Sequence, residues 1–196
     1  MYRYALTIEY DGSPFHGWQV QNNITTVQGV VFDAIKKLDM NCENFVGAGR
    51  TDAGVHAIGQ VAHVDLATKR DCETVQKAIN YYLNKYPVSI LNARLVNNQF
   101  HARFSAIKRH YIYKIFSRKT DLTFEKNQYW HVRHSLNKSN MQLAANYLTG
   151  RHDFSAFRSS ICQASSPIKT IDKISIQSEE IRDGVVYQLN LSLIHI

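Results

Sequence analysis

FVGAGRTDAGVHAIGQVAHVDL, residues 45–66, is the stretch around which the rest of the chain is organised. Its first two residues are apolar and predict the end of a strand, while the alternating pattern of residues 60–66 predicts a second strand. The segment between them is rich in glycine, so its backbone can adopt positive φ angles and approach a ligand closely. The pattern therefore predicts two strands joined by a specialised turn.

This turn carries a carboxylate, Asp52, close to a guanidinium, Arg50. An acid at the tip of a turn between two strands is exposed and yet held in a fixed direction, which suits a reactive group. The alternative is an ordinary hairpin with an Arg–Asp pair on its surface, which contributes little to stability. The neighbouring sequence favours the reactive group.

The sequence on either side of the turn alternates between strand and helix patterns. Thr25-x-x-Gln28 is a capping box that opens one helix, and Asp71 caps a second. Strands are predicted at residues 4–10, 44–47, 59–66 and 88–96. The order strand, helix, strand, strand, helix, strand is that of a split βαβ, or ferredoxin-like, unit, an antiparallel sheet with two helices on one face. We expect this unit to span residues 1–97.

A similar pattern begins again in residues 98–196. Asn137 or Ser139 opens a helix that Gly150 ends. Strands are predicted at residues 111–116, 168–176 and 185–194. The second unit therefore has the order strand, helix, strand, strand. The predicted fold class is α+β, with two ferredoxin-like units, mainly antiparallel sheets and an incomplete second unit.

The composition narrows the class of partner. Lys and Arg number 23 against 16 Asp and Glu, a net charge of +7 that fits a polyanion such as nucleic acid. No apolar run is long enough to cross a membrane, and the first residues predict a strand instead of a signal peptide. The three cysteines are odd in number and far apart, which indicates a reducing compartment such as the cytoplasm and disfavours a disulfide framework.

Several segments resemble, in order, the motifs of the tRNA pseudouridine synthase A family. GRTDAGVH, residues 49–56, resembles the family's catalytic signature. The segments that resemble its opening are YDG at residues 10–12, GWQ at 17–19 and VQ at 27–28. FHARFSA, residues 100–106, followed by Tyr111, resembles a middle motif, and HDFSAFR, residues 152–158, a later one. The resemblance covers nearly the whole chain.

The resemblance implies isomerisation of uridine to pseudouridine in the anticodon stem-loop of tRNA. The glycosidic bond of uracil is cut, the base turns, and its C5 is joined to the ribose C1′. This reaction needs no redox step and no energy source, so no cofactor is expected, and neither a Walker loop nor a Rossmann fingerprint is present. Family members are typically homodimers with RNA bridging the subunits. The implied partners are tRNA and a second copy of the chain, with no membrane.

The resemblance also assigns roles to three residues. Asp52 would be the nucleophile, forming a covalent adduct with the nucleoside at the ribose C1′ or by another route. Arg50 would help to flip the target nucleotide out of its stack and fill the space it leaves, the alternative being a plain salt bridge to Asp52. Tyr111 would stack on the uracil and assist proton transfer from C5, although a strand tyrosine is more often part of a core.

Further residues resemble the family's RNA-contacting segment, which combines a phosphate-binding cation with a stacking ring. They are Phe100, His101, Ala102, Arg103 and Phe104. Arg70 is a weaker candidate for a phosphate contact, the alternative being a solvated surface charge. The aromatic loop at residues 15–18 fits either a core or an RNA contact.

Other chemistries find less support in the sequence. A glycosidase needs two carboxylates flanking the bond, but Asp65 lies within a strand and Glu43 precedes the turn. His56 and His63 do not have the spacing of a metal-binding helix pair, so no metal is expected. Two alternatives from other classes are a non-catalytic RNA-binding module, which has no need of Asp52, and a structural pair of units whose charge is incidental.

The chain departs from the family pattern in two places. Relatives often carry an arginine-rich turn where this chain has Ala164-Ser165-Ser166, which weakens the expectation of an RNA contact there. The family continues past the last strand into a helix whose arginine pairs with the catalytic aspartate, and residues 191–196 do not resemble that continuation. We therefore expect an uncovered second sheet, self-association and little activity, with residues 1–97 folding alone.

Overall fold

The computed structural model of the chain describes residues 1–157 and 166–194. It divides into two compact units, Met1–Ala106 and Ile107–Ile196, so the division falls after Ala106 and not after residue 97. Residues just beyond 97 are held to the first unit because the Arg3 side chain donates to the carbonyl oxygens of Asn98 and Phe100 at 2.6 and 2.9 Å. Both sheets are mainly antiparallel, which confirms the α+β class.

The first unit has the predicted order of elements. They are β1 (Tyr2–Tyr10), α1 (Val27–Leu38), β2 (Glu43–Gly47), β3 (Ala57–Leu66), α2 (Cys72–Leu83) and β4 (Val88–Leu95). The strands pair antiparallel in the order β2-β3-β1-β4, so β1 is central. Because successive side chains of a strand point to opposite faces, Tyr4, Leu6 and Ile8 are all buried in the core with the apolar stripes of both helices. The opposite face of the sheet carries Arg3 and its cross-strand partner Asp65.

Both helices of this unit begin at a side chain that satisfies a free backbone N–H. The prediction that Thr25 caps α1 is wrong by one residue, since Thr26 is the cap and its Oγ1 accepts from the Gly29 N–H at 3.3 Å. Asp71 caps α2 as predicted, with its carboxylate accepting from the Thr74 N–H at 3.1 Å. Adjacent threonines are equally good caps, so the sequence alone does not separate them.

The second unit contains two strands that the sequence did not predict. Its elements are β5 (Lys108–Ser117), β6 (Trp130–Val132), α3 (Lys138–Tyr147), β7 (Gly150–Asp153), a 3₁₀ turn (Ser155–Phe157), β8 (Ile168–Ile181) and β9 (Gly184–Ile194). The sheet order is β6-β5-β9-β8-β7, with β6 parallel to β5. The unpredicted strands are β6 and β7, which are too short to show an alternating pattern. Asn137 caps α3 by accepting from the Asn140 N–H at 3.0 Å.

The core of the second unit lies between α3 and one face of its sheet. It is formed by Ile115, Val132, Ala145, Ile171, Ile174, Ile176 and Tyr187. The leucines of β9 are only partly buried where they border this core. Within the described ranges, no helix is both long and apolar enough to cross a membrane.

Candidate active site

The turn between β2 and β3 exposes the Asp52 side chain. The start of the turn is fixed to β3 at two points, since the Ala48 N–H donates to the Val61 carbonyl at 2.7 Å and the Gln60 side-chain amide donates to the Gly49 carbonyl at 2.6 Å. The structure therefore places the carboxylate, as the pattern predicted, on an anchored turn between two strands.

A second segment, the opening loop (residues 11–19), clasps this turn on both sides of Asp52. The Trp18 N–H donates to the Thr51 carbonyl at 3.0 Å, and the Gly54 N–H donates to the Phe15 carbonyl at 3.3 Å. The Tyr10 hydroxyl, at the end of β1, lies 2.9 Å from the Thr51 hydroxyl. Burial raises the pKa of Tyr10. The turn is thus held by distant parts of the chain and not only by its own hairpin.

The close approach of loop and turn depends on glycine in the opening loop. Gly17 has φ +85°, and a Cβ built there would lie 2.6 Å from the Thr51 carbonyl oxygen. A Cβ on Gly12 would overlap the Val55 carbonyl. Since backbone atoms cannot move aside as a flexible side chain can, both positions require glycine.

The aromatic residues of the opening loop belong to the core. Phe15 and Trp18 are buried, and Trp18 packs against the rings of Tyr10 and Phe45 at centroid distances of 6.0 and 6.1 Å. Of the two interpretations of this loop, core and RNA contact, the structure therefore supports the core for these two rings. His16 in the same loop is exposed.

Arg50 is exposed, and its Nε donates to the Gln19 side-chain oxygen at 3.1 Å. Gln19 is in turn followed by Val20, whose N–H donates to the Gln28 side chain at 3.1 Å. In residues 1–157 and 166–194, the Asp52 carboxylate forms no ion pair. The interpretation of Arg50 as a plain salt-bridge partner of Asp52 is therefore wrong.

A second carboxylate, which the sequence analysis did not single out, lies beside the turn. Asp11 Oδ1 is 3.0 Å from His56 Nδ1, which is also 3.2 Å from the Gly12 N–H. Hydrogen bonds from Ser13, and then the neighbouring His56, hold the pKa of Asp11 below its usual range. Asp11 is therefore ionised at neutral pH and cannot serve as the general acid of a two-carboxylate mechanism.

Asp65 is also unsuited to that role. Its two oxygens accept from Arg3 at 2.6 and 2.7 Å, and one of them accepts from Asn44 at 2.8 Å. The hydrogen bonds from Arg3 lower the pKa of this buried carboxyl. Asp65 pairs with Arg3 near the start of β1. The Asp52 turn leads into β3 at Ala57, which pairs with Tyr10 at the opposite end of β1.

The predicted RNA-contacting segment lies on the face of the first sheet that carries Arg3. The buried Ala102 donates its N–H to His63 Nδ1 at 3.1 Å. Arg103 and Phe104 are exposed, and the Arg103 guanidinium lies 5.6 Å from the centre of the Phe104 ring. A cation beside an exposed aromatic face is the combination that binds a phosphate and stacks a base.

Arg70 is half-buried and bound to two other elements. Its backbone N–H donates to the Tyr4 hydroxyl at 2.8 Å, and Tyr4 donates back to the Arg70 carbonyl at 2.5 Å. Its guanidinium donates to the Leu38 carbonyl at the end of α1 at 3.4 Å. A cation at a helix C-terminus stabilises the helix, so Arg70 has a structural role in this unit.

Tyr111 belongs to the second unit, where it lies on β5 with its side chain half-exposed. It lines an apolar groove of about 640 Å³ in that unit, together with Tyr113 on the same strand. The other walls come from α3, β8 and β9 and include Met141, Leu148, Ile174 and Leu191. The structure thus places Tyr111 on an open surface, where its ring is accessible.

The described part of the later motif, residues 152–157, includes the end of β7 and the 3₁₀ turn. His152 Nε2 lies 2.9 Å from the Thr149 carbonyl, and the Phe154 N–H donates to the Pro167 carbonyl at 3.1 Å. Arg158 of this motif lies outside the described residues, as do Ala164 and Ser165 of the predicted departure. Within the described ranges, no group of three or more His, Cys, Asp or Glu residues is arranged to hold a metal ion.

Comparison with known proteins identifies the family of the chain. The sequence profile of a family described as tRNA pseudouridine synthase matches residues 6–105 and 144–193. A tRNA pseudouridine synthase A from Parvibaculum lavamentivorans is 51% identical over 176 residues, which are 90% of this chain and 72% of that protein. Proteins of the same name are 48% identical in Maricaulis maris, over 98% of this chain and 76% of the relative, and 46% identical in Paracoccus denitrificans, over 97% and 74%.

An α+β chain with a carboxylate on a clasped turn, similar over most of its length to these enzymes, is an isomerase that modifies RNA. It belongs to the tRNA pseudouridine synthase family.

Proposed function

We propose that the chain converts uridine to pseudouridine in the anticodon stem-loop of tRNA, with Asp52 as the nucleophile. The observation that carries the proposal is the state of Asp52, which is exposed, held on both sides by the opening loop, and has no ion pair among the described residues. A carboxylate that is fixed in direction but not neutralised by a cation keeps its electron pairs available for a substrate.

The reaction breaks one bond, forms another and moves one proton. The bond between ribose C1′ and uracil N1 breaks, C5 bonds to C1′, and the proton lost from C5 is balanced by the proton that N1 gains. Asp52 bonds covalently to the nucleoside and leaves as a carboxylate when C5 bonds to C1′. In this scheme Tyr111, whose ring is half-exposed, stacks on the uracil and assists removal of the C5 proton.

Arg50 is proposed to extrude the target nucleotide. A uridine in a stem is inaccessible to Asp52 until it leaves the stack, at a cost of a few kcal/mol. Arg50 is exposed on the same turn, and its hydrogen bond to Gln19 holds the base of the guanidinium in place. A planar cation placed there fills the space that the flipped base leaves.

The separation of the candidate residues supports a polymeric substrate. The segment with Arg103 and Phe104 is tied to Arg3, whereas the Asp52 turn is tied to Tyr10. Arg3 and Tyr10 are seven positions apart along β1, or about 23 Å at about 3.3 Å per residue. A ligand that contacts both must be much longer than a nucleoside, and the net charge of +7 favours a polyanion. Both properties fit tRNA.

The test is to incubate the full chain with unmodified tRNA and map pseudouridine by carbodiimide-dependent primer-extension stops. We expect new stops in the anticodon stem-loop, weak because little activity is expected of this chain, and we expect Asp52→Asn to reduce them to background while tRNA binding is retained. Full modification by the Asp52→Asn variant would exclude Asp52 as nucleophile. Binding without any modification by the unaltered chain would instead identify a non-catalytic RNA-binding module.

We also propose that the active form is a cytoplasmic homodimer bridged by tRNA, as the family resemblance implies. Sedimentation at micromolar concentration, with and without tRNA, tests this assembly. We expect the mass of two chains. A monomeric mass in both conditions would overturn the proposed dimer without affecting the assignment of Asp52.

A further inference from the structure

We infer that His63 is a positioning residue for RNA binding, because it fixes the backbone of residues 101–104 so that Arg103 and Phe104 are presented to the substrate. The inference rests on the proposed function, since it explains how the proposed RNA-contacting segment is held. It assigns a role to a histidine on β3, opposite Val46 of β2.

His63 lies on β3, on the face of the sheet opposite the helices. Its side chain is 1% exposed, so its ring cannot contact RNA directly. Nδ1 accepts the Ala102 N–H at 3.1 Å, which leaves the ring proton on Nε2 when the imidazole is neutral. Ala102 is itself buried, so its N–H would lack a partner if this acceptor were removed.

The contact continues from His63 to the exposed residues through His101. The two imidazole rings lie 4.8 Å apart between centroids, and the His101 and Phe104 rings lie 4.3 Å apart. His101 Nδ1 accepts the N–H groups of Arg103 and Phe104 at 3.2 and 3.3 Å. A buried ring on the sheet is thus connected by direct contacts to the exposed cation and ring.

The surroundings of His63 keep its ring neutral, as an acceptor must be. Burial is the main cause that lowers its pKa to about 4, and the neighbouring Arg3 and His101 act in the same direction. The Asp65 carboxylate acts to raise the pKa of His63, but its charge is compensated by the ion pair with Arg3. Among residues 1–157 and 166–194, the titratable groups that act on the His63 ring are these three side chains, from β1, from β3 and from the segment itself. The Ala102 hydrogen bond is therefore present throughout the neutral range.

Arg3 holds the backbone just before residues 101–104, where it donates to the carbonyls of Asn98 and Phe100. Arg3 thus binds carbonyl groups that precede the segment, and His63 binds an N–H group within it. Two anchors of opposite polarity fix both the position and the direction of the backbone. This arrangement is expected where an exposed pair of side chains must be preorganised for binding.

The experiment compares three variants of the full chain. His63→Asn keeps an acceptor near the position of Nδ1, His63→Leu fills the space without an acceptor, and Val64→Ala is a matched control that alters the buried, helix-facing side chain next to His63. For each we would measure exchange of the Ala102 amide by NMR, the Kd for tRNA, and kcat and KM for modification.

We expect His63→Leu to lose protection of the Ala102 amide and to weaken tRNA binding and raise KM about tenfold, with kcat nearly unchanged. His63→Asn should behave like the unaltered chain, and Val64→Ala should lower stability without changing KM. In an Arg103→Ala, Phe104→Ala background, His63→Leu should change the Kd less than twofold, because the residues through which it acts are gone.

Two results would overturn the inference: an Ala102 amide that stays protected in His63→Leu, or equal losses of tRNA affinity in His63→Leu and Val64→Ala. Failure of the proposed function is distinguishable from both, since it would appear as an unaltered chain that forms no pseudouridine. The Ala102 amide would still report whether His63 positions the segment.

Discussion

The backbone N–H of Trp18 donates to the carbonyl of Thr51 at 3.0 Å, immediately before Asp52 in the chain. Trp18 is buried in the core of the first unit, so this bond ties the residue before the proposed nucleophile to the close-packed core. The opening loop also accepts the Gly54 N–H on the other side of Asp52. An exposed carboxylate is therefore held in place by core packing, which is how an enzyme combines accessibility with a fixed direction.

Gly17→Ala should distort the Asp52 turn. The substitution forces a side chain into a φ of +85° and places a Cβ 2.6 Å from the Thr51 carbonyl oxygen. We expect a loss of about 1–3 kcal/mol in the free energy of unfolding and a larger proportional loss of kcat, because the turn must move. Urea denaturation and single-turnover modification of tRNA measure the two effects.

Gly59→Ala is the matched control for this prediction. A Cβ at Gly59 would have as its nearest neighbour the Thr7 side chain at 4.0 Å, so the new methyl group fits. We expect stability and kcat close to those of the unaltered chain. Equal behaviour of the two alanine variants would contradict the view that Gly17 sets the geometry of the turn.

Arg103→Ala should reduce the salt dependence of tRNA binding. If the exposed Arg103 neutralises one phosphate, its removal makes the slope of log K against log salt concentration shallower by roughly 0.7–0.9. Lys77→Ala is the control, because Lys77 is an exposed cation already paired with Glu73 on α2 at 2.5 Å. Filter binding at several salt concentrations gives both slopes. An unchanged slope for Arg103→Ala would remove this residue from the phosphate contacts.

Arg3→Met should destabilise the first unit by about 3–5 kcal/mol, because it leaves the buried Asp65 carboxylate without its cation. Adding Asp65→Asn should recover part of this loss, since the second change removes the unpaired charge. Urea denaturation of the two single variants and the double variant gives the coupling energy. Strictly additive losses would show that the two side chains do not stabilise each other.

The order of elements in the first unit was predictable because each element carries its own local signal. Alternation marks the strands, and Asp71 marks the start of α2. The two short strands of the second unit carry no such signal, because three or four residues cannot display a period. Long strands and capped helices are therefore the parts of this fold that local sequence determines.

The environment of Asp52 was only partly predictable. The turn itself follows from its glycines and flanking strands, but the clasp depends on residues such as Trp18 that are far away in the chain. The pairs Asp11–His56 and Arg50–Gln19 are likewise long-range. The family-like segments at residues 10–12 and 17–19 were the available signal, since they contain the residues that contact the turn.

The stability of the chain should fall between pH 6.5 and pH 4 in a way that depends on His63. The folded-state pKa of His63 is about 4, against 6.5 for an ordinary histidine. Above pH 6.5 the ring is neutral in both the folded and the unfolded state, so it contributes no pH dependence. Below pH 6.5 the unfolded state takes up a proton that the folded state does not, which favours unfolding. At pH 4 the loss amounts to roughly 3 kcal/mol.

His63→Asn isolates this contribution, because asparagine does not titrate but still offers an acceptor to the Ala102 N–H. Urea denaturation of both proteins at several pH values between 7 and 4 gives two curves of unfolding free energy against pH. Titrating groups that do not face His63 contribute equally to both curves, so their difference reports His63 together with its direct neighbours, such as Asp65. We expect the curve of the unaltered chain to fall more steeply in this interval. Parallel curves would mean that His63 titrates normally in the folded state, and the buried neutral imidazole would then no longer account for the fixed position of residues 101–104.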